Sequence, residues 1–105
     1  MLGEKQEEQV LALVRRYFPN ARRAPGSGNV HGDGDILGIP GLYIDVKGRS
    51  ARGKLSVTKA EWEKAKKQAS SMYPPQEPAV VTVSEEIMVH CRLDVLLLAL
   101  SEGGE

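Results

Sequence analysis

The sequence predicts an α/β fold, one mixed β-sheet with helices packed against it. Three observations lead there. Asp35 to Ile39 and Leu42 to Val46 are β-branched runs joined by Pro40-Gly41, a strong turn dipeptide, and read as an antiparallel hairpin. One amphipathic helical pattern precedes the hairpin and another follows it. A short apolar run, Ala79 to Val83, then returns as a buried strand.

In chain order, Glu4 to Phe18 places Val10, Leu13, Val14 and Tyr17 on one helical stripe, and Pro19-Asn20 ends the helix. Ala21 to Ala24 is a short strand candidate, and Pro25 to Gly34 a glycine-rich loop before the hairpin. Gly48 to Gly53 is a basic segment expected to swing out of the fold. In Thr58-Lys-Ala-Glu61 the hydroxyl and the carboxylate can satisfy orphan helix N–H groups reciprocally. That capping box opens a helix to about Ser71 with Trp62, Ala65 and Ala69 inward. Pro74, Pro75 and Pro78 read as a rigid connection, and Ile87 to Arg92 as a partner strand for Ala79 to Val83. Leu93 to Leu100 is apolar on almost every side and reads as a short helix begun near Asp94, with a frayed tail after it. Such a helix needs more cover than one small domain readily gives, which predicts that part of it lies in a homodimer interface.

The 105 residues suit a single domain, 1–105, with one core. One cysteine, Cys91, excludes an internal disulfide framework, and two histidines do not make a structural zinc site. No stretch reads as a signal peptide or a membrane span, so the expected location is cytoplasmic. Formal net charge is zero, but twelve basic residues lie between Arg15 and Lys67 against five acids. That segregation permits a basic face on a neutral protein; the alternative is solvated helix faces with ordinary ion pairs.

The chemistry concentrates on the hairpin. On its second strand Tyr43, Asp45 and Lys47 share one face, and Asp35 begins the neighbouring strand. Two hard carboxylates suit Mg²⁺, with Mn²⁺ as the alternative, in a form that keeps several waters and takes a phosphate oxygen. Lys47, protonated beside carboxylates, orients water and neutralises developing charge. A third acid is expected from the first helix. Glu7 stands three, four and seven residues before Val10, Leu11 and Val14, on the inward stripe, whereas Glu8 points outward. The alternative for Glu7 is placement at the positive end of the helix dipole. Gly26-Ser27-Gly28-Asn29 either brings backbone and the Ser27 hydroxyl to a phosphate or is a plain turn. The calcium-loop register fails at Leu37 and Ile44, and Asp33 reads as a turn residue, with a spare metal ligand as the alternative. No Gly-Lys-Ser/Thr sequence supports a nucleotide cofactor, and no Ser-His-Asp or Cys-His set is legible.

With Glu7, Arg23, Gly26-Ser27, Asp35 and Asp45-Val46-Lys47 in this order, the chain resembles the PD-(D/E)-x-K nuclease superfamily. In particular it resembles the Holliday junction resolvases of archaea and some bacteriophages. The likeness covers about Glu4 to Ser71 and, more loosely, Ala79 to Val83. It implies a restriction-endonuclease-like sheet, a metal held by Glu7, Asp35 and Asp45, and catalysis by these acids with Lys47 and Ser27. It further implies that Ser27 and Arg23 act on the DNA backbone near the scissile phosphate. Basic residues Arg22, Arg23, Arg49, Arg52 and Lys54 are expected to contact DNA, with a four-way junction as substrate and a homodimer as the working form. The chain departs from the archaeal pattern in carrying Asp rather than Glu at 45, a longer loop before Asp35, and a different stretch from Glu85 to Leu100. The alternatives are another nuclease of the superfamily, cutting flaps or nicking, and a non-catalytic DNA-binding subunit.

Overall fold

A computed structural model describes residues 2–24, 34–48 and 56–103. Its elements are α1 (Leu2–Arg15), β1 (Arg22–Arg23), β2 (Gly34–Ile39), β3 (Leu42–Gly48), α2 (Lys59–Ser70), β4 (Glu77–Val83), β5 (Ile87–His90) and α3 (Leu93–Gly103). The strands form one five-stranded sheet in the order β1-β2-β3-β4-β5. The β3–β4 pair is parallel and the other pairs are antiparallel, so the sheet is mixed and flanked by helices as expected. Parallel neighbours require a long crossover, which α2 supplies.

The hairpin forms where Pro40-Gly41 demands it, with Gly41 at φ +80° and Ile39 paired to Leu42. The β2–β3 ladder shifts register between Ile36 and Ile39. Gly38 sits in that bulge at φ +94°, and a Cβ there would lie 2.7 Å from the Asn20 carbonyl oxygen. The close approach seats β1 on the outside of β2, pairing Arg22 with Leu37 and Arg23 with Ile36.

Alternation gives the sheet two different faces. Ile36, Ile44, Val46, Ala79, Val81 and Val83 form one core with Val10 and Leu11 of α1. Tyr43, Asp45, Lys47, Val80 and Thr82 are also buried and point from the second face. Ala65 and Ala69 of α2 are fully buried yet stand apart from that core, so α2 covers the second face. Both halves of the capping box are present, from Thr58 Oγ1 to the Glu61 amide and from Glu61 Oε1 to the Thr58 amide.

Several boundaries differ from expectation. Helix α1 ends at Arg15, and residues 16–18 turn through hydrogen bonds to the Leu13 and Val14 carbonyls. Leu13 and Tyr17 are exposed, because the inward stripe is the narrower one of Glu7, Val10, Leu11 and Val14. Strand β1 keeps only two residues. Pro78 belongs to β4 and not to a connection. The Glu77 amide points toward β3 and bonds the Gly41 carbonyl, so Pro78 turns its missing N–H to the other side, where the β5 ladder starts only at Val80. Trp62 is half-buried and meets the exposed His90 ring edge-to-face at 5.1 Å between centroids. The basic segment Gly48 to Gly53, beyond Gly48 itself, and the tail after Gly103 lie outside the described residues.

Candidate active site

Strand register brings the two hairpin acids together: Asp35 and Asp45 are direct cross-strand partners. Directly opposed side chains stand about 5 Å apart at Cβ, so two carboxylates there repel unless a cation or a proton intervenes. Lys47 follows on the same face, its Nζ 3.4 Å from Asp45 Oδ1. All three are buried. The Tyr43 hydroxyl, two residues before Asp45, donates a hydrogen bond to Asp35 Oδ2. Burial, with that bond and the charges of Asp35 and Asp45, pushes the Tyr43 phenol well above its ordinary range, so it stays a donor.

Glu7 approaches from α1. Its side chain is 2% exposed, which carries the helical-periodicity argument, while Glu8 is exposed. Oε1 meets the Arg23 Nε in an ion pair, and Oε2 accepts no hydrogen bond from any described residue. Burial raises the Glu7 pKa, the Arg23 guanidinium opposes that rise, and the Asp35 charge adds to it. Arg23 reaches this position because β1 pairs with β2 one residue from Asp35, and the Ala24 amide bonds the Asp35 carbonyl.

Three carboxylates are therefore buried, Glu7 paired with Arg23 and Asp45 with Lys47. Isolated buried charge is expensive, and these pairs and the Tyr43 bond to Asp35 offset part of that cost. As placed, no three His, Cys, Asp or Glu side chains among the described residues are grouped closely enough to hold a metal ion. The donor set nevertheless fits a hard divalent cation in kind: all oxygen, opposed across one strand pair, with a buried Glu7 oxygen lacking a donor. Arg23 and Tyr43 hold two of the acids.

Tyr43 had been legible only as a neighbour on the strand face, and the Arg23–Glu7 pair had no signal in the sequence. Arg22 and Arg23 are exposed on β1. Ser27, Arg49, Arg52 and Lys54, with the glycine-rich loop, Asp33 and His31, lie outside the described residues. A pocket of about 310 Å³ opens elsewhere, lined by Arg22, Leu37, Gly38, Ile39, Pro40, Leu42, Met72 and Gln76, and shares none of the buried acids. Among the described residues no helix is long and apolar enough to cross a membrane. No family model matches the chain, and neither a curated protein nor a solved structure matches it significantly.

Proposed function

We propose that the chain is a metal-dependent endodeoxyribonuclease that resolves four-way DNA junctions by paired phosphodiester hydrolysis. The observation that carries the reading is the burial of Asp35, Asp45 and Lys47 on one sheet face, with Glu7 buried on α1. A small sheet spends its interior on such a set only for a purpose, since apolar residues of similar volume stabilise at least as well. The resemblance over Glu4 to Ser71 supplies the choice of DNA junction as substrate, and with it a prokaryotic or phage-infected cell as the setting.

Glu7, Asp35 and Asp45 are the residues that would hold Mg²⁺ or Mn²⁺. When bound, such an ion polarises the phosphate and lowers the pKa of water at neutral pH. Lys47, beside Asp45, offsets the charge that develops on the phosphate oxygens. Tyr43 orients Asp35 through its hydroxyl. Arg23, half-exposed, holds Glu7 from one side and is accessible to a DNA phosphate from the other. Paired cuts require two sites related by a two-fold axis, which a homodimer supplies.

Cleavage of a synthetic immobile junction, a flap and a linear duplex, with and without Mg²⁺, tests the proposal. Symmetric cuts in the junction, abolished by chelation, are the expected result. A preference for the flap would make the chain another nuclease of the superfamily. Junction binding with no cutting in Mg²⁺ or Mn²⁺ would leave a DNA-binding subunit and overturn the enzymatic reading.

A further inference from the structure

The cavity at the turn end of the hairpin takes no part in holding the acids, yet it opens on their face of the sheet. Arg22 pairs with Leu37, and Asp35 pairs with Asp45. Leu37 follows Asp35 by two residues, so alternation turns both side chains the same way, about 7 Å apart along β2. Arg23, the other residue of β1, points to the opposite side and meets Glu7. Met72, just past the end of α2, also lines the cavity, and α2 covers this same face. The cavity is therefore one short step from Asp35, toward Pro40-Gly41.

Its lining has three parts of different chemistry. Leu37, Ile39, Leu42 and Met72 supply apolar walls around about 310 Å³, at the small end of the range for ligand cavities. Gln76 supplies a neutral polar group. Its Nε2 donates to the Pro74 carbonyl at 3.2 Å, which fixes the amide and leaves Oε1 as an acceptor. Arg22 supplies the charge. Its exposed side chain makes no ion pair or hydrogen bond with any described residue. A small apolar body with an amino edge and an attached anion satisfies all three parts, and a nucleobase with its phosphate is such a ligand. Beside Met72, the Tyr73 ring is 98% exposed, a surface on which a neighbouring base can stack.

We infer that this cavity takes one DNA base, turned out of its stack, from the nucleotide next to the phosphate being cut. Arg22 meets the phosphate of that nucleotide. One extended nucleotide spans the step from Asp35 to Leu37. Gln76 Oε1 accepts from an exocyclic amino group, so adenine and cytosine suit it, whereas thymine presents another acceptor. Turning a base out costs least where pairing or stacking is already interrupted, as at the branch of a junction. The cavity thus gives the enzyme a physical reason to prefer branched DNA over a linear duplex. The inference rests on the proposed nuclease reading and adds a source for its structure selectivity.

A synthetic junction with 2-aminopurine at successive positions around the branch reads the event, because that base brightens on leaving the stack. With the full chain bound in the absence of metal, one position should brighten, and Gln76→Leu and Leu37→Trp should each lose the rise. Replacing cytosine by thymine at that position should slow wild-type cutting in Mg²⁺ about tenfold and leave Gln76→Leu cutting unchanged. An abasic nucleotide there leaves nothing to turn out, so wild type and Leu37→Trp should cut that junction at equal rates. Gln76→Leu retains the test if Leu37→Trp does not fold. A junction that is not bound, one that is bound but brightens nowhere, or a rise that both variants keep would each overturn the base site. Brightening without cutting in Mg²⁺ or Mn²⁺ would defeat the nuclease reading and leave the base site standing. Cutting without brightening would do the reverse.

Discussion

Asparagine at position 45 keeps the shape of the side chain and removes its charge, so it isolates what the Asp45 carboxylate does. Lys47 Nζ lies 3.4 Å from Asp45 Oδ1. At an effective dielectric of about 20 that pair attracts by about 5 kcal/mol. Asp35 stands directly opposite. At the roughly 5 Å that separates directly opposed Cβ atoms, two such charges repel by about 3 kcal/mol in the same dielectric. Asp45→Asn removes both, and the fold should lose the difference, on the order of 2 kcal/mol. For a chain of 105 residues that is a fall in Tm of about 9 °C. Catalysis should suffer separately. Loss of one charged ligand should slow cleavage at least about a hundredfold, about 2.7 kcal/mol of barrier, while junction binding survives. Thermal melts without metal and single-turnover cleavage in Mg²⁺ at 25 °C, where the variant stays folded, read the two effects apart. Near wild-type cutting by Asp45→Asn would refute the assignment of the site.

Four further outcomes are expected. Folded Glu7 keeps its proton to a higher pH than the unfolded chain, because burial raises its pKa above 4.5. Stability of the metal-free protein should therefore fall as pH rises from 4.5 through the folded value, then level off. Glu7→Gln should flatten that fall, and an unchanged pH slope in chemical denaturation would refute the shift. Tyr43→Phe removes the donor to a buried carboxylate and should cost about 1.5–3 kcal/mol, with weaker Mg²⁺ binding by calorimetry; an unchanged melt and Mg²⁺ affinity would show that Asp35 does not depend on it. Gly38→Ala would put a Cβ 2.7 Å from the Asn20 oxygen at φ +94°, so a loss above about 2 kcal/mol is expected, and a neutral melt would contradict the bulge geometry. Junction affinity should fall steeply with salt if Arg22 and Arg23 meet phosphates, and a flat salt dependence would exclude a basic DNA face.

Local chemistry made much of the architecture legible. Pro40-Gly41 and Thr58 to Glu61 act over three or four residues, and both form as read. Glu7 was legible because helical period alone relates it to Val10, Leu11 and Val14. The same period overextended the stripe to Leu13 and Tyr17, because periodicity gives a direction but not the extent of sheet available for cover. Pro78 read as a linker because a proline lacks a donor. Which side of the strand needs that donor depends on where β5 begins.

The sequence by itself determined the order of elements, the turn, the cap, and the face of β3 that carries Asp45 and Lys47, since each follows from neighbours along the chain. Only the tertiary structure decided that Tyr43 holds Asp35, that Arg23 holds Glu7, and that α3 turns its leucines outward. The Arg23–Glu7 pair joins segments distant in sequence, and the Tyr43–Asp35 bond crosses a hairpin whose register shifts between Ile36 and Ile39. They depend on the β1–β2 register seated against Gly38 and on the space left around the last strand, and no local pattern encodes either.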